Sequence, residues 1–230
     1  ADDEKGANLA DLWIDNRSAL WTPEEVTSFC TALETAWDSS SISQSLDSCE
    51  GRTVTQGAMF HTNDTGQYII NSLWHGIAEG ANADRVWIPE GHSEGRTAVA
   101  ADEIVIDAHV TEALDLHLGD TVSIGAGNAT AEFTIVGTGY HPLHILFAPE
   151  GELFPSEPGQ YVVGYLSDAG MARLTGEVLG TSNMILLDIE GTPSFDLPDT
   201  SENEGDEIDE VKELVDSALG EAALDARVRD

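Results

Sequence analysis

This 230-residue sequence predicts an α+β fold of two lobes, one assembled from both ends of the chain and one inserted between them. Three observations point there. Long amphipathic helix patterns occur near each end, after Thr22 and over 207–219. Short β-branched or alternating runs, bounded by Gly, Asn and Asp, fill much of the middle. The stretch from Asp102 to Tyr140 changes hydrophobic period twice, each time at a residue able to make the change. On this reading 1–80 and 181–230 form the discontinuous α/β lobe, and 81–180 forms the β-rich insert.

Residues 1–8 are polar and charged and are expected to lead out of a preceding segment. Leu9–Asp15 reads as a first strand, with alternation at Leu12 and Ile14 around Trp13. Thr22-Pro23-Glu24-Glu25 is a capping box with Pro at the first helical position, and Val26, Phe29, Cys30, Leu33, Ala36 and Trp37 follow at helical spacing. After the loop Ser39–Ser48, the runs Thr53–Phe60 and Gln67–Ile77 flank Asn63-Asp64-Thr65-Gly66, which predicts a hairpin. Residues 78–101 have loop chemistry with one short strand at Val86–Ile88.

Within Asp102–Tyr140, Glu103–Ile106 is a strand and Asp107 caps a helix over 108–116, whose apolar face is Val110, Ala113 and Leu114. Gly119-Asp120 is a turn, and Thr121–Ile124 and Glu132–Val136 are antiparallel strands joined through Gly125–Asn128. Tyr161–Tyr165 is a further strand. Ser167-Asp168 starts a brief helix through Leu174, and Met184–Ile189 is a buried-type strand. Gly191–Gly205 is an acidic linker. Glu207–Leu219 places Ile208, Val211, Leu214, Val215, Ala218 and Leu219 on one face, with Gly220 as the expected stop and Ala223–Val228 as a final strand.

Nine basic residues face forty-three acidic ones, a formal charge of -34. Such a surface repels phosphate backbones, so nucleic acid and anionic lipid headgroups are poor partners, and no nucleic-acid partner is expected. A solvated acidic coat, as in proteins that work in high salt, is the favoured account, with a cation-recruiting face as the alternative. No run of eighteen or more apolar residues appears and no leader pattern opens the chain, so these residues are not expected to span a bilayer. Cys30 and Cys49 stand apart from any CxxC or metal spacing. A disulfide between helix and following loop, in an oxidising compartment, is favoured over a free buried Cys30 beside an exposed Cys49. Sequons at Asn16, Asn63 and Asn128 agree with exposed surface.

The chemistry-bearing candidates are few. Gly91-His92-Ser93-Glu94-Gly95 matches the nucleophile-elbow pattern but lacks the strand before and helix after that the elbow needs. His141 and His144 bracket Pro142-Leu143, with His61, His75, His92, His109 and His117 scattered elsewhere; exposed or interface histidines are favoured over a metal site. Asp199–Glu210 has oxygen ligands at alternate places, yet its glycine, Gly205, falls one place late for a calcium loop, so an acidic linker is favoured. Leu143, Ile145, Leu146, Phe147, Leu153 and Phe154 crowd a segment rich in Pro and Gly, which either folds back on the core or offers a contact to substrate or partner. No acid, base and nucleophile stand at workable spacing and no glycine loop cradles a phosphate, so no catalytic residue, metal or cofactor is expected.

The words "VIDAHVTEALDLHLGDTVSI … FTIVGTGY" resemble the middle of the extracytoplasmic core domain of MacB-like and FtsX-like ABC-transporter permeases. They match that family's pattern at Asp107, Ala113-Leu114, Leu116, Gly119-Asp120 and Phe133–Gly137. The resemblance implies a porter-like subdomain from both termini with an inserted sabre-like subdomain. It also implies membrane helices on either side, a cytoplasmic ABC ATPase subunit, a second permease copy, and an extracytoplasmic substrate or partner protein. The implied role is to carry ATP-driven movement of membrane helices outward, in export or mechanotransmission, on the extracytoplasmic face of the cell membrane. The acidity, the cysteine pair and the segment His141–Gly159 depart from the family pattern. The alternative is a secreted acidic binding protein or a hydrolase acting through Ser93.

Overall fold

The computed structural model describes residues 7–16, 19–63, 66–89, 94–141, 144, 156–190, 206–224 and 226–229. Its elements are mixed helix and strand, an α+β fold. By internal contacts the chain divides into two units, Leu9–Arg52 with Thr181–Asp230, and Ala1–Asn8 with Thr53–Gly180.

The first unit is made from both ends of the chain. Strand β1 (Leu12–Asp15) lies between β8 (Met184–Ile189) and β9 (Arg227–Arg229), antiparallel to both. The first half of β2 (Leu46–Asn63) pairs antiparallel with the other edge of β8. Helix α1 (Pro23–Trp37) begins as its sequence dictates. The Thr22 hydroxyl accepts from the Glu25 amide, and the Glu25 carboxylate accepts from the Thr22 amide. Such a cap contributes about 1 kcal/mol. Val26, Phe29, Leu33 and Trp37 of α1 form one core with Leu12 and Ile14 of β1, Ile185, Leu187 and Ile189 of β8, and Val211, Val215, Ala218 and Leu219 of the last helix. Period 2 on the strands and period 3.6 on the helices thus meet on one side of this sheet. The last helix, α4 (Asp206–Ala222), does not stop at Gly220. It runs two residues further and ends where Ala223 takes a left-handed φ of 56°, the Leu224 amide reaching back to the Leu219 carbonyl. Gly220 lies in open space, so nothing there requires a break.

The second unit is a closed sheet. The second half of β2 pairs with β3 (Gly66–Ile77), which continues to β7 (Tyr161–Ser167), β4 (Glu103–Asp107), β6 (Ala129–Gly139) and β5 (Thr121–Ala126), and β5 returns to β2. The hairpins β2–β3 and β5–β6 are the two the sequence predicts. The pairs β3–β7 and β4–β6 are parallel and join strands far apart in sequence. Residues 53–77, assigned from sequence to the terminal lobe, are strands of this barrel. Helix α2 (Ala108–Leu114), capped by Asp107, ends two residues short of the expected 116 because Asp115 turns left-handed at φ 55°. Helix α3 (Asp168–Thr175) is capped by the Ser167 hydroxyl. The region around Val86–Ile88 contributes a single bridge, Trp87 with Tyr140, rather than a strand.

Trp74 sits at the centre of the barrel core, fully buried, in a cluster with Met59, Ile104, Ile106, Ile124, Phe133 and Ile135. Val110 of α2 and Met171 and Leu174 of α3 join the same cluster. The indole fits because two neighbouring strands present glycine. A Cβ on Gly57 would stand 2.3 Å from the indole nitrogen, and one on Gly164 would stand 2.7 Å from the ring. The indole N–H donates to the Gly125 carbonyl at 3.0 Å, so this buried polar group is satisfied.

Candidate functional site

Both cysteines are used. Cys30 of α1 and Cys49 form a disulfide with their Cα atoms 5.8 Å apart. Cys49 lies on β2 and not in the preceding loop, so the bridge ties helix to sheet within the terminal unit.

The contact residues proposed from sequence, Leu143, Ile145, Leu146, Phe147, Leu153 and Phe154, lie outside the described residues, as does Ser93. The chain after Ser93 is described. Gly95 bridges Gly137 in antiparallel fashion, the Glu94 amide donates to the Thr138 hydroxyl, and no helix forms before β4. An elbow needs a helix at that place. Residues 199–205 of the acidic linker also lie outside the described residues, while Glu210 accepts a hydrogen bond from the Ser41 hydroxyl.

The histidines are not all scattered. His75 of β3, His141 just past β6 and His144 form one cluster in the barrel unit. The rings of His75 and His141 stack with centroids 6.2 Å apart, and His144 stands 5.0 Å from His75 and 5.4 Å from His141. Tyr165, directly opposite His75 on β7, stacks on both His75 and His141. The Nε2 atoms of His144 and His75 approach to 3.0 Å. Burial, and secondarily the neighbouring His141, push the His144 imidazole down to about 4, with Asp84 opposing. The pair His141 and His144 was legible as a spacing; the third member was not. His75 joins because period 2 on β3 sends it to the face opposite Trp74, and the parallel pairing with β7 sets it beside Tyr165. Among the described residues no group of three or more His, Cys, Asp or Glu is arranged to hold a metal ion.

Two carboxylates are raised to about 6, chiefly by burial. Asp11, at the edge of the terminal sheet, accepts from the Ile189 amide and feels Asp188 and Asp47. Asp107, which caps α2, accepts from the backbone and ring of His109, contacts that oppose the shift. Arg96 grips Glu103 through both guanidinium nitrogens and holds its carboxyl down to about 2. These groups order turns and strand ends. Exposed apolar side chains include Ile69 near the tip of the β2–β3 hairpin and Val178 and Leu179 between α3 and β8. No helix among the described residues is long and apolar enough to cross a membrane.

No family model matches the chain, and no curated protein does. Among solved structures, the extracellular domain of the noncanonic ABC-type transporter YknZ from Gram-positive bacteria is similar over 96% of this chain and 100% of that one, at 13% identity and a TM-score of 0.49. A domain described as part of a permease protein of Porphyromonas gingivalis is similar over 80% of this chain and 71% of that one, at 12% identity and a TM-score of 0.34. The chain's own elements make an α+β fold.

Proposed function

We propose that the chain is the extracytoplasmic domain of an ABC-transporter permease of the MacB/FtsX-like type, which couples ATP-driven movement of membrane helices to a substrate or partner outside the membrane. The observation that carries this reading is the pairing of β1 with β9. Because the two strands are adjacent and antiparallel, the start of β1 lies beside the last residues of β9, so the chain enters the terminal unit and leaves it at the same end of one sheet. A domain placed between two membrane helices needs that arrangement, since both connections must return to one bilayer face. The sequence words that resemble the family support the same reading. Asp107 caps α2, and Phe133–Gly137 is the part of β6 that pairs with β4 and β5.

In this account the terminal unit is the porter-like part and the barrel the sabre-like part. The domain works by rigidity and contact and has no catalytic residue of its own. ATP is hydrolysed by a separate cytoplasmic subunit, and the transporter works with a second permease copy. Residues Leu143, Ile145, Leu146, Phe147, Leu153 and Phe154 supply the apolar contact to substrate or partner. The isolated chain is monomeric or weakly dimeric, and the acidic coat keeps it solvated in the extracytoplasmic medium.

The full gene tests this. It should encode hydrophobic spans just before residue 1 and just after residue 230, and the protein purified from membranes should bring an ATPase with it. In that complex Leu146→Asp with Phe154→Asp should lower transport of its substrate while the protein stays folded. A secreted chain without flanking spans, or ester hydrolysis lost on Ser93→Ala, would overturn the proposal in favour of a secreted hydrolase or binding protein.

A further inference from the structure

The three Asn-x-Ser/Thr sequons have no place in that account, and the fold treats them differently. Asn16 is 8% exposed, its side-chain carbonyl accepts from the Ala19 amide at 3.2 Å, and its backbone amide donates to the Asn183 carbonyl. A saccharide there would have to be buried with its asparagine, so this sequon is not on the exposed surface that its motif suggests. The Asn63 sequon runs into residues 64 and 65, which lie outside the described residues. Asn128-Ala129-Thr130 is described throughout and stands where the β5–β6 hairpin turns. Cross-strand pairing ends at Ala126 with Ala129, which leaves Gly127 and Asn128 as a two-residue turn. Gly127 takes a left-handed φ of 57°, and a Cβ placed on it would meet nothing within 4 Å. Asn128 and Thr130 are both exposed, and the Asn128 side-chain amide has no hydrogen-bond partner among the described residues. A large hydrophilic group on that nitrogen would extend from the hairpin tip into open space without displacing a contact.

We propose that Asn128 is the acceptor of an N-linked oligosaccharide, with Thr130 supplying the hydroxyl by which a membrane-bound oligosaccharyltransferase recognises it. The proposal rests on the extracytoplasmic placement, because the donor, an oligosaccharide carried on a lipid phosphate, is used outside the cytoplasm. The Cys30–Cys49 disulfide supports that placement independently. In the transfer, Nδ2 of Asn128 bonds to the anomeric carbon of the first sugar. The bond from that carbon to the phosphate oxygen breaks, its electron pair leaves with the lipid phosphate, and one amide proton passes to a base of the transferase. Nothing is oxidised or reduced. Only the pairs Ala126–Ala129 and Gly125–Thr130, at the end of the ladder, have to be open for the three residues to reach the enzyme.

Mass spectrometry of the protein taken from the membranes of its source and cleaved after glutamate tests the site, because each sequon falls in its own peptide: 5–24, 51–79 and 113–132. Peptide 113–132 should carry a saccharide that fragmentation places on Asn128, and peptide 5–24 should have the mass of its sequence alone. Asn128→Gln and Thr130→Ala should each abolish the mass gain, whereas Thr130→Ser, which keeps a hydroxyl, should retain it. An unmodified peptide 113–132 would overturn the proposal. So would a saccharide on Asn16, or one on 113–132 that survives both Asn128→Gln and Thr130→Ala. Protease treatment of intact cells separates that failure from failure of the placement. An unmodified chain that is cleaved from outside leaves the extracytoplasmic reading standing, and an unmodified chain that is protected inside removes both.

Discussion

The terminal unit and the barrel unit solve the same problem, burying a core, by different means. In the terminal unit, two helices and four antiparallel strands bring together segments from opposite ends of the chain. Each apolar face is complete in itself, and the disulfide adds a covalent tie between α1 and β2. In the barrel no helix among the described residues is longer than eight residues, and no disulfide is present among them. Closure depends on one indole, and on glycines at the two places where a side chain would collide with it. The first unit is tolerant of local change because its stability is spread over two long helix faces. The second is exacting, because a closed ring has no edge along which to relax.

Two substitutions separate these modes, the larger first. Trp74→Ala should destabilise the barrel unit by about 3–5 kcal/mol, since it removes a fully buried aromatic and leaves the Gly125 carbonyl without its donor. Hydrogen exchange resolved by segment should show the loss in β4, β6 and β7, with α1 and α4 much less affected; equal loss in both units would mean that they are not separate. Replacing Cys30 and Cys49 together with Ala should cost about 3 kcal/mol in the chain-entropy account. That loss should fall on α1 and β2, and thermal unfolding under reducing conditions should reproduce it without mutation.

The same contrast explains what was legible in the sequence. Capping at Thr22, Asp107 and Ser167 was readable because a cap is a local hydrogen bond between residues at most three apart. The hairpins were readable for a like reason, as turn and strands are contiguous. Closure of the barrel was not, because β3 with β7 and β4 with β6 are parallel pairs joined by long crossings. Their register is set by side chains that meet between strands distant in sequence, such as Trp74 beside Gly164. That is why residues 53–77 read as part of the terminal lobe, and why His75 was not joined to His141 and His144. Gly220 misled for another reason: glycine is a frequent helix stop, but a single one in open space interrupts nothing when apolar contacts on the opposite face continue past it.

The central claim is that movement generated across the membrane reaches this domain through its adjoining first and last strands. The direct measurement is amide hydrogen exchange over residues 1–230 in the full-length protein, reconstituted with its ATPase and compared with and without ATP. The account predicts that protection in β1 and β9 changes with nucleotide while the core of α1 and α4 stays protected, as for a rigid body moved from its attachment points. Identical exchange across all 230 residues in the two states, with ATP turning over normally, would contradict it.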